Sequence, residues 1–258
     1  MSLRAWIALV VVMVSLVWGR EASAQVNIET LRSDLRKKPA LASIEGSFTG
    51  RTGNVESIVV GGAAIGAAKV GKSGLLSTAS ADYTRFGKEV RVSKSFIHLR
   101  YHYELLDWLF PEAFVQQQQD KFQRLQLREL LGLGPRFILA DVEHLRLAMG
   151  TAYMFEYERI SVPLGAPDEP VTTAQRSSSY VSAAWVPDSR VRFMGTLYAQ
   201  PRWDQPSDAR FLVEGALTTQ VFERLSVKVL FTLRHDTMPP TGVKMTDAEV
   251  KNAFVLQF

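Results

Sequence analysis

The chain has 258 residues, 47% of them hydrophobic and 22% charged, with a formal net charge of +4 and no cysteine. That length allows one large domain; the mild charge excludes a chain built for nucleic acid, and without cysteine no disulfide or thiolate metal site can form. The four histidines, His98, His102, His144 and His235, are scattered, so no metal or other cofactor is expected.

Arg4 precedes an apolar run from Ala5 to Trp18, and Ala22-Ser23-Ala24 stands before Gln25. The run, about 14 residues, falls short of the ~20 needed to cross a bilayer as a helix, and the small-residue site comes at the right distance after it. Residues 1–24 are therefore predicted to be a signal peptide, with Ala22, Ala24 and Gln25 framing the cleavage. Removing Arg4, Arg20 and Glu21 takes away a net +1 and leaves about +3. No later stretch of ~18 apolar residues exists, so any membrane residence has to be through strands.

In residues 25–40, Ile28, Leu31 and Leu35 fall at helical spacing, Asn27 can cap, Arg36 to Lys38 suit a helix C-terminus and Pro39 stops it. A short periplasmic helix is predicted, read as a lid or lead-in in preference to an active plug.

From Leu41 the period changes to two. Strands are predicted near 41–50, 55–68, 74–85, 90–105, 112–119, 125–138, 143–158, 175–187, 190–200, 209–222, 225–236 and 249–258, about twelve, an even number as bacterial barrels require. Turn chemistry separates them, as in Gly71-Lys72-Ser73-Gly74 and Pro187-Asp188-Ser189. Val162–Ala174 and Thr237–Ala248 are predicted as longer loops. Gln116 to Gln119 is polar on both faces and is expected to stand above a membrane.

The strands define two faces. Near 97–104, Ile97, Leu99, Tyr101 and Tyr103 alternate with His98, Arg100, His102 and Glu104; near 145–157 an apolar side ending in Tyr153, Phe155 and Tyr157 opposes Arg146 and Glu156. Periodicity alone is equally compatible with a soluble sandwich, which would turn the charges to water. The export signal, the terminal aromatic and aromatic strand ends such as Trp185 favour an all-β, antiparallel transmembrane barrel over 41–258, with polar residues inside. On that parity His98, Arg100, His102, Glu104, Arg128, Arg136, Arg146, Glu156, Arg192 and Arg234 line the lumen. Arg176, Arg210, Lys228 and Lys251 join them, against acids that are chiefly Glu104, Glu156 and Glu214. A positive wall and an anion preference are expected.

The last strand, Val250 to Phe258, points Val250, Phe254, Leu256 and Phe258 one way. It resembles the closing strand of bacterial outer-membrane barrels, in which the terminal Phe and the apolar residues two and four before it are read by the barrel-assembly machinery; Asn252 departs from that pattern. Val26-Asn27-Ile28-Glu29-Thr30-Leu31-Arg32, the Thr52-Gly53-Asn54 turn and Arg128-Glu129-Leu130-Leu131-Gly132-Leu133-Gly134-Pro135-Arg136-Phe137 are together similar to a family of salt-induced outer-membrane proteins catalogued as a domain of unknown function. The resemblance covers most of the mature chain and implies a barrel in the cell outer membrane, a structural or narrow passive pore linked to salt or osmotic stress. Its partners would be outer-membrane lipids and the assembly machinery. It implies no reaction, and no oligomeric state can be drawn from it. Gly132 and Gly134, on the face of Arg128 and Arg136, are expected to admit strand coiling or bulky lumen neighbours.

Two enzymatic readings carry less. Gly66-Ala67-Ala68-Lys69-Val70-Gly71-Lys72-Ser73 satisfies the phosphate-loop pattern, but the small, hydroxylated stretch from Gly74 to Ala81 is poor helix material, and a phosphate loop must open a helix. An outer-membrane hydrolase of lipase or protease type would need a histidine beside a serine near the membrane surface, and no G-x-S-x-G elbow is present.

Overall fold

The computed structural model describes residues 39–51, 57–86 and 89–258. The predicted signal peptide and the N-terminal helix lie outside them, apart from Pro39 and Ala40, where a bend leads into the first strand. The described residues form twelve strands: β1 (Ala40–Arg51), β2 (Ser57–Val70), β3 (Ser73–Phe86), β4 (Glu89–Tyr103), β5 (Leu109–Asp120), β6 (Leu125–Asp141), β7 (Leu145–Ile160), β8 (Val171–Asp188), β9 (Val191–Pro201), β10 (Ala209–Gln220), β11 (Leu225–Asp236) and β12 (Thr246–Gln257). Each pairs antiparallel with its neighbours in sequence, and β1 pairs with β12 to close a barrel. Closure is made by Ser43↔Gln257 through Gly46↔Phe254, and the Phe258 amide donates to the Ala42 carbonyl at 2.9 Å. Closing the sheet leaves no edge strand to pair elsewhere.

The described helical structure is one 3-10 turn, Lys121–Gln123, capped by the Asp120 carboxylate, which accepts from the Phe122 amide at 3.0 Å. No helix among the described residues is long and apolar enough to cross a membrane. The phosphate-loop match lies across the end of β2 and its tight turn into β3, with Gly71 at φ +56°. It opens a strand, so it cannot cradle phosphate on a helix N-terminus.

The two ends of the barrel differ. At the end holding Pro39 and the C-terminus, the connections are short, as at residues 71–72, 142–144 and 189–190. At the far end the connections include residues 161–170, 202–208 and 237–245. Both predicted long loops are shorter than expected for the same reason: their downstream residues extend the next strand. Val171 and Thr173 pair with Arg159 and Tyr157, and Thr246 and Asp247 pair with His235 and Arg234. β5 likewise starts earlier than predicted, because Leu109 pairs with Phe137.

The faces sort by polarity. On β4, Lys94, Phe96, His98, Arg100 and His102 are buried, while Ile97, Leu99, Tyr101 and Tyr103 are exposed. The same inversion runs through β7, where Ala148, Met154 and Glu156 are buried between exposed Met149, Tyr153 and Phe155. Charges point into the barrel and large apolar side chains point out, the reverse of a soluble sandwich.

Candidate interior site

Strand alternation, which forces every second side chain inward, puts the predicted lumen residues on one surface. His98, Arg100, His102, Arg136 and Glu156 are buried there, and Arg128, Arg146, Arg192 and Arg234 are partly buried on the same face. Glu104 lies just past β4 at the terminal end, accepting from Lys69 Nζ at 2.7 Å. Arg146 is at the same end, 3.4 Å from Asp141.

Acids that the parity reading passed over change the charge pattern. Glu45, Asp82, Glu112, Asp120, Glu158 and Glu249 also stand on the inner face or its margin, and they pair with the cations. Lys228 Nζ donates to Glu45 Oε1 at 2.9 Å, and Lys251 Nζ donates to Asp82 Oδ1 at 2.8 Å. Lys94 lies between Asp120 and Glu249, at 3.7 and 3.9 Å. The expected positive wall is therefore a set of ion pairs. Alternation places Glu112 and Asp82 inward as plainly as it does Arg100, so this signal was present in the sequence. The pairings themselves join strands distant in sequence and were not legible there.

Two clusters cross the bore. In the first, Arg100 donates to Glu112 Oε2 at 3.1 Å, and the Tyr180 hydroxyl on β8 donates to the same oxygen at 3.1 Å. The Arg100 guanidinium sits 5.0 Å from the Phe114 ring centre and 5.7 Å from that of Tyr180. Arg100 Nε donates to His98 Nε2 at 3.3 Å; that leaves Nδ1 of His98 to donate to Gln116 Oε1 at 3.2 Å. His98 is thereby a connector between two inner-wall residues.

The second cluster centres on Glu156. It accepts from Arg128 Nε at 2.7 Å, Arg176 Nε at 3.1 Å and Arg210 Nη1 at 2.8 Å, from β6, β8 and β10 respectively. Arg176 also reaches Asp208 at 2.9 Å, and Arg210 reaches Asp236 at 2.9 Å. Charge-assisted bonds of this kind are short and directional, so the cluster braces four strands against one another.

Close packing on this wall depends on two glycines. A Cβ on Gly132 would collide with the Phe114 ring, and one on Gly134 would strike the backbone of Thr151 and Ala152 on β7. The first glycine makes room for a bulky interior neighbour and the second lets two strands approach. Both roles match what the sequence implied.

Beside these clusters, in the half of the barrel away from the termini, a cavity of about 130 Å³ remains, with Arg100, Arg128 and Arg210 of the clusters in its lining. Phe96, His98, Gln116, Gln118, Glu214 and Arg234 line its sides, and Pro239, Pro240 and Met245 of the 237–245 connection lie over it. Gln116 and Gln118 thus face the cavity as rungs of a paired strand, opposite His98 and Phe96; the outward pair Gln117 and Gln119 is exposed.

The covering connection is tied down. The Asp168 carboxylate accepts from the Thr241 amide at 2.9 Å and from its hydroxyl at 3.1 Å. Those bonds, the amide first, hold its pKa below the usual carboxylate range. Arg124, the one described non-glycine residue at positive φ (60°), donates from Nε to the Ser161 carbonyl at 2.7 Å and also reaches Asp168 and the Thr241 carbonyl. A non-glycine residue held there is uncommon, and here it aims one guanidinium at both long loops.

Among the described residues no group of three or more His, Asp or Glu could hold a metal ion. His144 Nδ1 lies 3.0 Å from the Val186 carbonyl, and His235 Nδ1 lies 2.8 Å from the Thr246 hydroxyl.

Among solved structures the chain is similar to the NanC porin, at 7% identity and a TM-score of 0.48, covering 84% of this chain and 97% of that one. It is similar to the translocator domain of the autotransporter NalP from Neisseria meningitidis, at 9% identity and a TM-score of 0.45, with 85% and 87% covered. It is also similar to the outer membrane channel DcaP of Acinetobacter baumannii, at 8% identity and a TM-score of 0.37, with 85% and 95% covered. No curated protein matches the sequence. The match that reaches the sequence itself runs over residues 44–258, from β1 through the closing strand, and by it the chain belongs to the family described as protein of unknown function, DUF481.

Proposed function

We propose that this protein is exported and resides in the bacterial outer membrane as a twelve-stranded barrel, acting as a narrow passive pore or a structural barrel and not as an enzyme. The observation that carries the reading is the inverted polarity of the wall. Arg176 and Glu156 are each 2% exposed, while outward Leu133, Phe254 and Ile97 are 65%, 65% and 54% exposed. In water that surface would be a large apolar liability; in a bilayer it is the expected one.

Three further features support it. Exposed aromatic residues gather towards both ends of the wall, with Trp108, Trp185 and Phe193 near the terminal end and Tyr83, Tyr153 and Trp203 nearer the other. Such rings suit the two bilayer interfaces. From Leu145 to Tyr157 β7 rises roughly 40 Å at ~3.3 Å per residue, or roughly 28 Å along the barrel axis at the ~45° tilt usual in such barrels, close to the ~25 Å apolar band they present. Short turns at the terminal end and longer ones opposite favour an orientation with the termini in the periplasm and loops 161–170 and 237–245 outside.

Ion pairing across the bore and the tied loop over its mouth make the resting conductance small. The histidines support the non-enzymatic reading, since His98, His144 and His235 each have a structural partner. A link to salt or osmotic stress is part of the proposal through the family resemblance alone.

The test is membrane fractionation followed by electrophoresis. The expected result is recovery with the outer membrane and faster migration unheated than boiled, because a closed barrel resists unravelling. Recovery in the soluble periplasmic fraction, with identical mobility, overturns the proposal. Planar-bilayer recording then separates roles: brief, small currents indicate a pore, and silence a structural barrel.

A further inference from the structure

Most inward cations are matched: Arg100, Arg128, Arg176, Arg210, Lys228 and Lys251 each pair with an acid. Glu214 and Arg234 are different. Glu214 is 2% exposed, lines the cavity, and leaves Oε1 buried without a hydrogen-bond partner. Among the described residues neither side chain has a hydrogen bond or an ion pair within 4.0 Å, although Lys228 lies in the field of Glu214, Asp120 and Glu249 lie in that of Arg234, and Asp247 stands opposite Arg234 in the β11–β12 register.

Glu214 faces Thr232 across the β10–β11 ladder, so Arg234 is its diagonal neighbour on the same inner wall, at a spacing of roughly 7–8 Å. Both open onto the same cavity. Two opposite charges that share a space and do not close on each other leave a gap whose complement is a molecule carrying both signs.

We propose that the cavity is a binding site for a small zwitterion of the α-amino-acid kind. Its ammonium donates to the Glu214 carboxylate, its carboxylate accepts from Arg234, and its side chain rests against the Gln116, Gln118 and Gln200 amides. A simple anion would meet Glu214, and a simple cation would meet Arg234. A neutral sugar would displace water from both charges and return no ionic partner, which is unfavourable for buried groups. The space holds several waters or one small solute. Entry requires the 237–245 connection to lift, because its prolines lie over the cavity. The proposal concerns the interior alone and stands whether or not the barrel conducts.

Equilibrium dialysis of the full chain, refolded in detergent, against radiolabelled L-serine tests it, with glucose, acetate and ethylamine as competitors. The expected result is saturable binding that excess unlabelled serine displaces and the three competitors do not. Glu214→Gln and Arg234→Gln each weaken it at least tenfold, and Arg190→Gln, in the exposed 189–190 turn, leaves it unchanged. Heat-modifiable migration certifies that each variant is folded. If Glu214→Gln does not refold, Glu214→Asp, which withdraws the carboxylate by one methylene, is measured instead and is expected to weaken binding. No saturable serine binding by folded protein, displacement by glucose as effective as by serine, or wild-type binding in the folded variants overturns the proposal.

Discussion

Lys251, on the last strand of the barrel, donates from Nζ to Asp82 Oδ1 on β3 at 2.8 Å, across the two strands that separate them in the closed sheet. Gly61 on β2 lies beneath the pair, where an added Cβ would stand 2.8 Å from Nζ and collide with the carboxylate. The contact ties the closing strand to the third strand, so it forms only when the barrel shuts.

Removing one member of such a pair leaves charge buried, a loss on the order of 3 kcal/mol. Asp82 is 1% exposed, so Lys251→Ala is expected to lower the temperature at which the unheated band disappears. Gly61→Val should do the same by displacing the pair. Unchanged melting of both variants would show that the contact contributes nothing to closure.

The two wall glycines make a sharper comparison. Gly132→Ala meets a ring that can rotate away, while Gly134→Ala meets backbone that cannot. Gly134→Ala should therefore reduce the assembled fraction more, and Phe114→Leu should restore Gly132→Ala but not Gly134→Ala. Equal rescue of both by Phe114→Leu would refute the distinction.

The Glu156 carboxylate accepts from three guanidiniums at once, with Glu158, Asp208 and Asp236 supplying the rest of the negative charge. Glu156→Gln leaves Arg128, Arg176 and Arg210 facing one another, which destabilises the barrel and turns any residual current towards anions, since a ring of cationic side chains favours them. Reversal potentials in a salt gradient measure this. A shift towards cations would mean the cluster does not line the conduction path.

Acid should loosen the tie over the mouth. The folded-state pKa of Asp168 lies below the ordinary value of 3.8, so its contribution is fully present above pH 3.8 and is lost as the pH falls through the lower folded value. The Thr241 amide should exchange slowly at neutral pH, relative to its intrinsic rate, and lose that protection only below about pH 4. In Asp168→Ala the protection should be absent at every pH. Protection that persists in the variant would assign it to some other acceptor.

At the C-terminus, Phe258 bonds through its amide to the Ala42 carbonyl while the residue stays 56% exposed. Replacing it by Ser should reduce the amount assembled in the outer membrane well beyond the same change at Gln257, measured by quantitative blotting of fractionated envelopes. Equal amounts would remove the terminal ring as the recognised feature.

The twelve strands and their inner and outer faces are legible in the sequence because alternation is a local property: a period of two sends Arg100 and Ile97 to opposite faces whatever the rest of the chain does. Turn residues such as Gly71-Lys72 are equally local, and so is the room that Gly132 leaves. Alternation is silent on partners. Lys228 and Glu45, or Arg210 and Glu156, become neighbours only when strands far apart in the chain are bent round into a ring. The inward acids that turn the expected positive wall into ion pairs, such as Glu112 and Asp82, follow from the same alternation; which cation each one meets is set only by closure. The meeting of Asp168 with Thr241 over the mouth, and the Glu214 and Arg234 side chains that share the cavity beneath it without a direct ion pair, are likewise decided by tertiary structure, since closure alone sets which side chains share the interior.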